Sequence, residues 1–189
     1  MNAFAPIAHT SPSADWDQAQ AELHLWLGRC VDSFTEAEKK VSETLQHLAR
    51  HYPEVVKLHK AHLFGQKLQL LLEALEAPVK MDQRRARLAF QALNSFLSFA
   101  ELRNAVCHGA STLYLGRGGQ WLVELKTLQL ATSTIVTTQL MIDKAASEER
   151  LRALKSATQS LNAQLANLCA SLAVPASINP SAPAGQASR

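Results

Sequence analysis

Several features that define other protein classes are scarce in this chain. Its 189 residues include three cysteines, too few and too scattered for a disulfide framework or a zinc knuckle, and this usage is typical of a reducing cytosol. Seven glycines and seven prolines exclude collagen-like and low-complexity chains. No uncharged apolar run approaches the roughly 18 residues of a membrane-spanning helix, and the N-terminus lacks the basic and apolar regions of a secretory signal. We therefore expect a cytoplasmic protein that makes no membrane contact.

The net charge of the chain is small as well. Nineteen lysines and arginines face sixteen aspartates and glutamates, which leaves a formal charge of +3. An excess this small does not identify a nucleic-acid-binding protein by itself. Any RNA or DNA site therefore has to be a local basic patch.

Hydrophobic periodicity divides the chain into one domain and two tails. Residues 1–14 and 174–189 are rich in alanine, serine and proline and show no period, so both are expected to be disordered. Residues 15–173 show mainly the three- and four-residue spacing of amphipathic helices. The length suits a single domain, and 47% hydrophobic residues suffice for a substantial core.

Three helices are predicted in the first part of this domain. The predicted segments are 15–52, 63–75 and 81–108. The first segment is either one helix or two, because Thr35 and Glu38 have the spacing of a capping box that would start a second helix. Gly109 is well placed to cap the C-terminal end of the third helix.

The period changes beyond the third helix. Three short segments rich in β-branched or aromatic residues predict a small antiparallel meander, with a glycine-rich turn at 116–119 between the first two. These segments are 112–116, 120–125 and 134–142. The last of them also fits a helix. The expected fold is mainly α, with a small meander inserted before a long C-terminal helix.

The last helix is expected to begin at Ser147 as its N-cap and to end near Leu172. Its apolar positions alternate three- and four-residue steps, as in a heptad seam with one threonine. The seam consists of Leu151, Leu154, Thr158, Leu161, Leu165, Leu168 and Leu172. Such a seam needs a partner helix, which is either a neighbour in the same chain or a second copy of the chain.

The segment from Glu101 to Gly109 carries the residues most suited to chemistry. It places Arg103, Asn104 and His108 at the end of an amphipathic helix. Asn104 and His108 are four residues apart and share a helix face, which Arg103 flanks. Arginine offers a planar cation that binds a phosphate with two hydrogen bonds, and histidine exchanges its proton near neutral pH. This combination suits phosphodiester chemistry.

The letters RNAVCHG resemble the Arg-Asn-x3-His-Gly motif of HEPN domains, the higher-eukaryote and prokaryote nucleotide-binding superfamily. The resemblance implies a helical bundle that forms a homodimer, and many members are metal-independent endoribonucleases of toxin–antitoxin, phage-defence or RNA-processing systems. It therefore implies RNA as the substrate, no cofactor, and an antitoxin or defence-system partner. In some toxins of this family a modified tyrosine lies two residues after the histidine. Ala110 occupies that position here, which does not support such a modification.

RNA cleavage needs few protein groups, because the 2′-OH of the substrate is itself the nucleophile. One group accepts its proton, and another protonates the leaving 5′-oxygen. Arg103 would stabilise the charge that develops on the phosphate, Asn104 would orient the groups, and His108 would transfer protons. The products would be a 2′,3′-cyclic phosphate and a 5′-hydroxyl. One histidine is one group too few, and a dimer with two copies of the motif supplies the second.

Five further residues are weaker candidates. Glu38 is a carboxylate on an otherwise apolar helix face that could orient the motif, although a half-buried boundary charge explains it as well. Lys67 could reach a phosphate or simply be solvated. Arg84, Arg85 and Arg87 form the densest basic run. On a straight helix this run lies about 24 Å from the motif and could follow an RNA backbone, although most charge runs are solvated surfaces.

Other site chemistries have little support. His47 and His51, and likewise His59 and His62, have helical spacing for a ligand pair but lack a third ligand, so no metal site is predicted. Cys107 is adjacent to the motif histidine, but adjacent helical side chains point about 100° apart and do not form a dyad. Cys107 is expected to be buried or half-buried.

Three alternatives to an active ribonuclease remain open. The first is an ordinary helix end, in which His108 bonds a carbonyl and Arg103 pairs with Glu101 or solvent. The second is an inactive HEPN domain that binds RNA or a protein partner. The third is a structural dimerisation protein that uses the leucine seam.

Overall fold

The computed structural model describes residues 14–79, 81–116, 119–131 and 134–172. The elements are α1 (Ala14–His51), a single 3-10 turn (Leu58–Lys60), α2 (Phe64–Glu76), α3 (Gln83–Leu97), α4 (Ala100–His108), β1 (Ala110–Leu115), β2 (Trp121–Ala131), β3 (Thr134–Asp143) and α5 (Lys144–Leu172). The fold is mainly α with a three-stranded antiparallel sheet before the last long helix, as expected. The two predicted tails lie outside the described residues, apart from Ala14, and so do positions 117–118 of the predicted turn.

Helix α1 is one continuous helix, which decides between the two alternatives for this segment. Thr35 and Glu38 lie within it, and no second helix starts there. A buried stripe runs along its whole length at helical spacing, from Leu23 through Phe34 to Leu48. Because this stripe packs against several elements in turn, tertiary packing outweighs the local capping signal.

The prediction of one helix over 81–108 is wrong, since α3 ends at Leu97 and α4 begins at Ala100. The hydroxyl of Ser98 donates to the carbonyl of Ser95 at 2.7 Å, and the hydroxyl of Ser95 donates to the carbonyl of Gln91 at 3.0 Å. Serine hydroxyls that bond nearby carbonyls compete with the helical ladder and favour a bend. The basic run at the start of α3 is therefore not on one straight helix with the motif.

The leucine seam of α5 is satisfied inside the chain. The seam packs against α1 and α3, and Leu154, Leu161, Leu165 and Leu168 are 0% exposed. Thr158, the polar member, is also buried. A neighbour in the same bundle therefore covers the seam, and the alternative of a second copy at this surface is wrong.

The predicted N-cap of α5 is also wrong. The helix begins at Lys144, one turn before Ser147. The carboxylate of Asp143 accepts a hydrogen bond from the backbone N–H of Ala146 at 2.8 Å, and it thereby provides the cap. Ser147 is buried inside the helix and donates its hydroxyl to the carbonyl of Lys144 at 2.7 Å.

The sheet has the order β1-β2-β3 with antiparallel pairs, so its third segment is a strand and not a helix. Alternate residues of β2, including Trp121, Val123 and Leu125, are buried against the helices. Strand β2 is longer than predicted and continues to Ala131. Its last residues pair only with β3, because β1 reaches no further than the position opposite Lys126.

A charged cluster ties the N-terminal part of α1 to the sheet and to α5. Glu22 accepts hydrogen bonds from Lys144 at 2.8 Å, from Gln18 at 3.1 Å and from the indole N–H of Trp121 at 3.0 Å. These donors, with Lys144 the largest contributor, lower the pKa of the Glu22 carboxyl to about 2. The indole of Trp26 donates to the carbonyl of Ser147 at 2.8 Å and closes the same junction.

Replacing Glu22 by glutamine is expected to destabilise the fold at neutral pH by about 1 kcal/mol, because three donors lose an anionic acceptor. A lowered pKa in the folded state stabilises the protein above the unfolded value of 4.5, and this contribution disappears as the pH falls toward 2. The difference in free energy of unfolding between the two proteins should therefore shrink over that pH range. Urea titrations of Glu22→Gln and of the exposed control Glu149→Gln test this, and equal effects of both changes would contradict it.

Candidate functional site

Helix α4 carries the whole motif and joins the sheet without a connecting loop. Gly109 is the C-terminal cap, as predicted, and its backbone N–H donates to the carbonyl of Ala105 at 2.9 Å. Its φ of −80° and ψ of 144° are extended. The next residue, Ala110, already pairs with Lys126 in the sheet. The end of the motif is therefore fixed to β2 through a single residue.

The need for glycine at this position comes from close packing rather than from an unusual φ. A Cβ added at Gly109 would clash with the carbonyl oxygen of Ala105 and would lie 3.3 Å from the carbonyl oxygen of Lys126. Any larger residue would push the helix end away from the sheet. Both adjacent carbonyls belong to the backbone, so the contact cannot relax by a side-chain rotation.

Arg103 lies between α4 and α2. Its guanidinium carbon is 5.3 Å from the centroid of the Phe64 ring, a cation–π geometry. Phe64 packs edge-on against Phe96, with 6.2 Å between the ring centroids, and Phe96 packs edge-on against Phe34, with 6.1 Å between the ring centroids. Within the described ranges no carboxylate lies within 4.0 Å of the guanidinium, so the pairing with Glu101 that an ordinary helix end would allow does not form. Arg103 is thus a half-buried cation held by an aromatic ring.

A hollow of about 190 Å³ opens beside Arg103. Its walls are mostly apolar, with polar groups from Arg103, Asn104 and Gln69. The lining residues are Phe34, Phe64, Gly65, Leu68, Gln69, Leu72, Phe96, Leu97, Phe99, Ala100, Arg103 and Asn104. Asn104 also borders a second hollow of about 250 Å³ between α4 and the sheet, with Glu101, Thr138 and Leu140 among its lining residues. Asn104 therefore separates two open spaces.

His108 is exposed in the last turn of α4. No hydrogen bond or ion pair of its ring occurs in the part of the chain that the structure describes, so it does not bond a carbonyl as an ordinary cap would. Five residues of an α-helix place Arg103 and His108 about 140° apart around the axis and about 7.5 Å apart along it. Asn104 lies between them, about 40° from His108. One copy of the helix therefore presents the guanidinium of Arg103 and the imidazole of His108 to different directions.

Glu38 and Lys67 contact each other rather than the motif. The ammonium of Lys67 lies 2.8 Å from the carboxylate of Glu38, and both side chains are partly exposed. Glu38 is one helical turn beyond Phe34, near the aromatic cluster, but it orients neither Arg103 nor His108. The two weaker candidates thus form a local ion pair between α1 and α2.

The basic run lies at the start of α3, at the far end of that helix from α4. Arg85 is engaged by its neighbours, because its guanidinium donates to the carbonyl of Asn167 at 3.3 Å and lies 3.4 Å from Asp82. Arg84 and Arg87 are exposed. The structure thus leaves Arg84 and Arg87 as a surface patch and fixes Arg85 against α5.

Cys107 is exposed, so its predicted burial is wrong. Cys30 is buried in the core, and burial raises the pKa of its thiol to about 12.

Tyr114 lies on β1, where its hydroxyl donates to Glu124 at 2.7 Å. This hydrogen bond raises the pKa of the Tyr114 hydroxyl.

Among residues 14–79, 81–116, 119–131 and 134–172, no three potential metal ligands cluster. None of the helices in these ranges combines the length and apolar character needed to cross a membrane.

The aromatic support of Arg103 was not predicted. Phe64 and Arg103 are distant in sequence, and only the fold brings their elements together.

The chain matches no model of a protein family, and no curated protein or solved structure is significantly similar to it.

Gly109→Ala is expected to lower the free energy of unfolding by about 2 kcal/mol, because the added methyl group meets backbone atoms on both sides. Gly65→Ala is the matched control. Its Cβ would meet nothing within 4 Å, and alanine is a better helix former than glycine, so this variant should be as stable as the parent or more stable. Chemical denaturation compares the three proteins, and a Gly109→Ala variant as stable as Gly65→Ala would contradict the close packing.

Proposed function

We propose that this protein is a HEPN-type, metal-independent endoribonuclease that cleaves RNA by attack of the 2′-OH on the adjacent phosphate. The observation that carries the proposal is the half-buried guanidinium of Arg103. It has no carboxylate partner among the described residues and is held in place by Phe64. A cation in such a setting is well suited to bind an anion, and the other two polar residues of the motif, Asn104 and His108, suit a phosphodiester.

Each residue of the motif has a separate role in the proposed reaction. Arg103 binds the non-bridging oxygens and stabilises the charge that builds on them. His108 is exposed and able to exchange protons with the substrate. Asn104, between them on the helix, offers an amide that holds the ribose or phosphate in place. The reaction yields a 2′,3′-cyclic phosphate and a 5′-hydroxyl, with no redox step and no metal.

A second copy of the chain completes the proposed site. The reaction needs one group to accept the 2′-OH proton and another to protonate the leaving oxygen, and each chain has one His108 in the motif. Arg103 and His108 of one helix also point about 140° apart. Two motifs brought together across a twofold axis supply two histidines and allow an arginine and a histidine to face one phosphate.

The proposed RNA contact outside the motif is the patch formed by Arg84 and Arg87. Both side chains are exposed on the first turns of α3, where they can follow phosphates without base recognition. Arg85 is less suited to this role, because it is bonded to the carbonyl of Asn167. The proposed biological role is that of a toxin or defence ribonuclease, and an antitoxin or defence-system protein is the proposed partner.

The parent protein is expected to cut single-stranded RNA in the presence of EDTA. His108→Ala should reduce the rate by about 10²–10⁴, and Arg103→Ala by about 10²–10³, with the fold intact by circular dichroism. The exposed control Arg152→Ala, on α5, should cut like the parent. Equal cleavage by the parent and His108→Ala would refute the proposal, and RNA binding without products would favour an inactive HEPN domain.

Mixing the parent with an impaired variant tests whether the site is shared between chains. A mixed dimer of one parent subunit and one His108→Ala subunit has a single His108, one group fewer than the proposed reaction needs, so it should cut about as poorly as the variant. After subunit exchange with an excess of His108→Ala, the rate per parent subunit should therefore fall well below its value before mixing. An unchanged rate per parent subunit after verified exchange would show that each chain acts with its own residues.

A further inference from the structure

Strand β3 forms one edge of the sheet, and none of the other described strands pairs with its outer edge. No backbone hydrogen bond outside the sheet ladder involves Thr134–Asp143 in the described part of the chain. From Thr134 to Ile142 the strand contains no charged residue, no proline and no glycine. Stable monomers usually protect an edge with such residues or cover it, because open backbone groups otherwise pair with another chain. Strand β3 lacks this protection.

The first half of β3 lies where only two strands support the sheet. Pairing of β1 stops opposite Lys126, whereas β2 and β3 remain paired up to Ala131 opposite Thr134. A two-stranded ribbon is marginally stable in water by itself. Its apolar side chains are open to solvent, since Leu128 is 73% exposed and Ile135 is 65% exposed. A further strand along β3 would support this ribbon and cover part of its apolar surface.

The hydropathy pattern of β3 indicates which strand fits there, because it is symmetric about Thr138. Apolar residues lie two and three positions away on both sides, and polar residues lie one position away on both sides. The residues are Ile135, Val136 and Thr137 before Thr138, and Gln139, Leu140 and Met141 after it. An antiparallel copy of the same strand therefore sets apolar residues opposite apolar ones and polar residues opposite polar ones.

Strand geometry restricts the position of the axis. Two opposite residues in an antiparallel pair turn their backbone groups either both toward the partner strand or both away from it, and this direction alternates along each strand. A residue therefore cannot lie opposite the copy of its own neighbour, and a twofold axis passes beside a residue and not between two. An axis at Thr138 sets Ile135 opposite Met141, both of them exposed on the outer face. Moving the axis by one residue sets Ile135 opposite either Gln139 or the charged Asp143. The axis beside Thr138 therefore gives the best match.

We propose that β3 pairs with β3 of a second copy of this chain, antiparallel about a twofold axis beside Thr138, to form a continuous six-stranded sheet. The contact adds about eight backbone hydrogen bonds between the chains. It also covers apolar surface of Ile135, Val136 and Met141, which are 65%, 46% and 46% exposed in the single chain.

The proposed pairing of β3 is a different contact from the one that would bring the His108 residues of two chains together. Helix α4 lies on the sheet face that carries Thr138 and Leu140, and Glu101 lines the hollow beside them. The other end of α4 continues into β1, on the far side of β2. Pairing of β3 therefore directs the end of each α4 that carries Glu101 toward the twofold axis. The end of each α4 that carries His108 points away from this axis. The proposal does not depend on ribonuclease activity.

The first test is the mass of the full chain in solution, measured by size exclusion with light scattering at micromolar concentration. The parent should contain the β3-paired dimer, and Ile135→Lys should halve the mass, because the change replaces the apolar pair of Ile135 and Met141 with a charged and an apolar residue in both halves of the interface. Leu25→Lys is the matched control, since Leu25 is an exposed apolar residue on α1 and its variant should keep the parent mass. A monomeric parent, or an Ile135→Lys variant with the parent mass, would overturn the proposal.

The second test addresses the register. Adding Met141→Glu to Ile135→Lys should restore the parent mass, because the proposed register sets lysine opposite glutamate in both halves of the interface. In a Cys107→Ser background, a short bismaleimide should link Thr138→Cys chains into covalent dimers and should leave Thr112→Cys chains, on the opposite edge strand, as monomers on a denaturing gel. No rescue together with no cross-link at position 138 would refute this register.

Discussion

The junction at Gly109 is the constraint on which the candidate site depends. One extended residue connects the last turn of α4 to the first pair of β1, and it passes between the carbonyls of Ala105 and Lys126 too closely for a side chain. Because the helix end cannot shift along the sheet, the rotation of α4 about its axis is also restricted. This rotation decides which residues of the motif face α2 and which face solvent.

The rotation of α4 places Arg103 against Phe64 and leaves His108 in solvent. Partial burial of a guanidinium without a carboxylate costs solvation free energy, and the ring offsets only part of it, about 0.5–2 kcal/mol. An arginine needed only for packing would be more stable with a carboxylate partner, and Glu101 on the same helix does not provide one. The arrangement therefore leaves the cation available for an anion from outside the chain, which is the basis of the ribonuclease proposal.

The sequence predicted the elements better than their ends and better than contacts between distant residues. Hydrophobic spacing was sufficient for α2 and for the C-terminal end of α5, because one apolar face dominates each segment. It left open whether α1 is one helix or two and whether the last segment of the meander is a strand or a helix. The bend near Ser98 was missed, because periodicity continues across it while the serine hydroxyls compete for the local carbonyls. The motif was found from its residue types. Its aromatic support by Phe64 was not found, since no local pattern reports a contact between residues so far apart in the chain.

The position of α4 also separates two forms of association. The leucine seam of α5, the surface most suggestive of pairing in the sequence, is fully used inside the bundle. Two surfaces that stay open among the described residues are the uncharged edge of β3 and the His108 end of α4. The first is one edge strand of the sheet, and the second directly precedes β1, the other edge strand. A twofold axis at one of them cannot coincide with a twofold axis at the other. A chain that uses both therefore assembles beyond a dimer, whereas a chain that uses β3 alone keeps its two motifs apart and lacks the second histidine that the proposed cleavage requires.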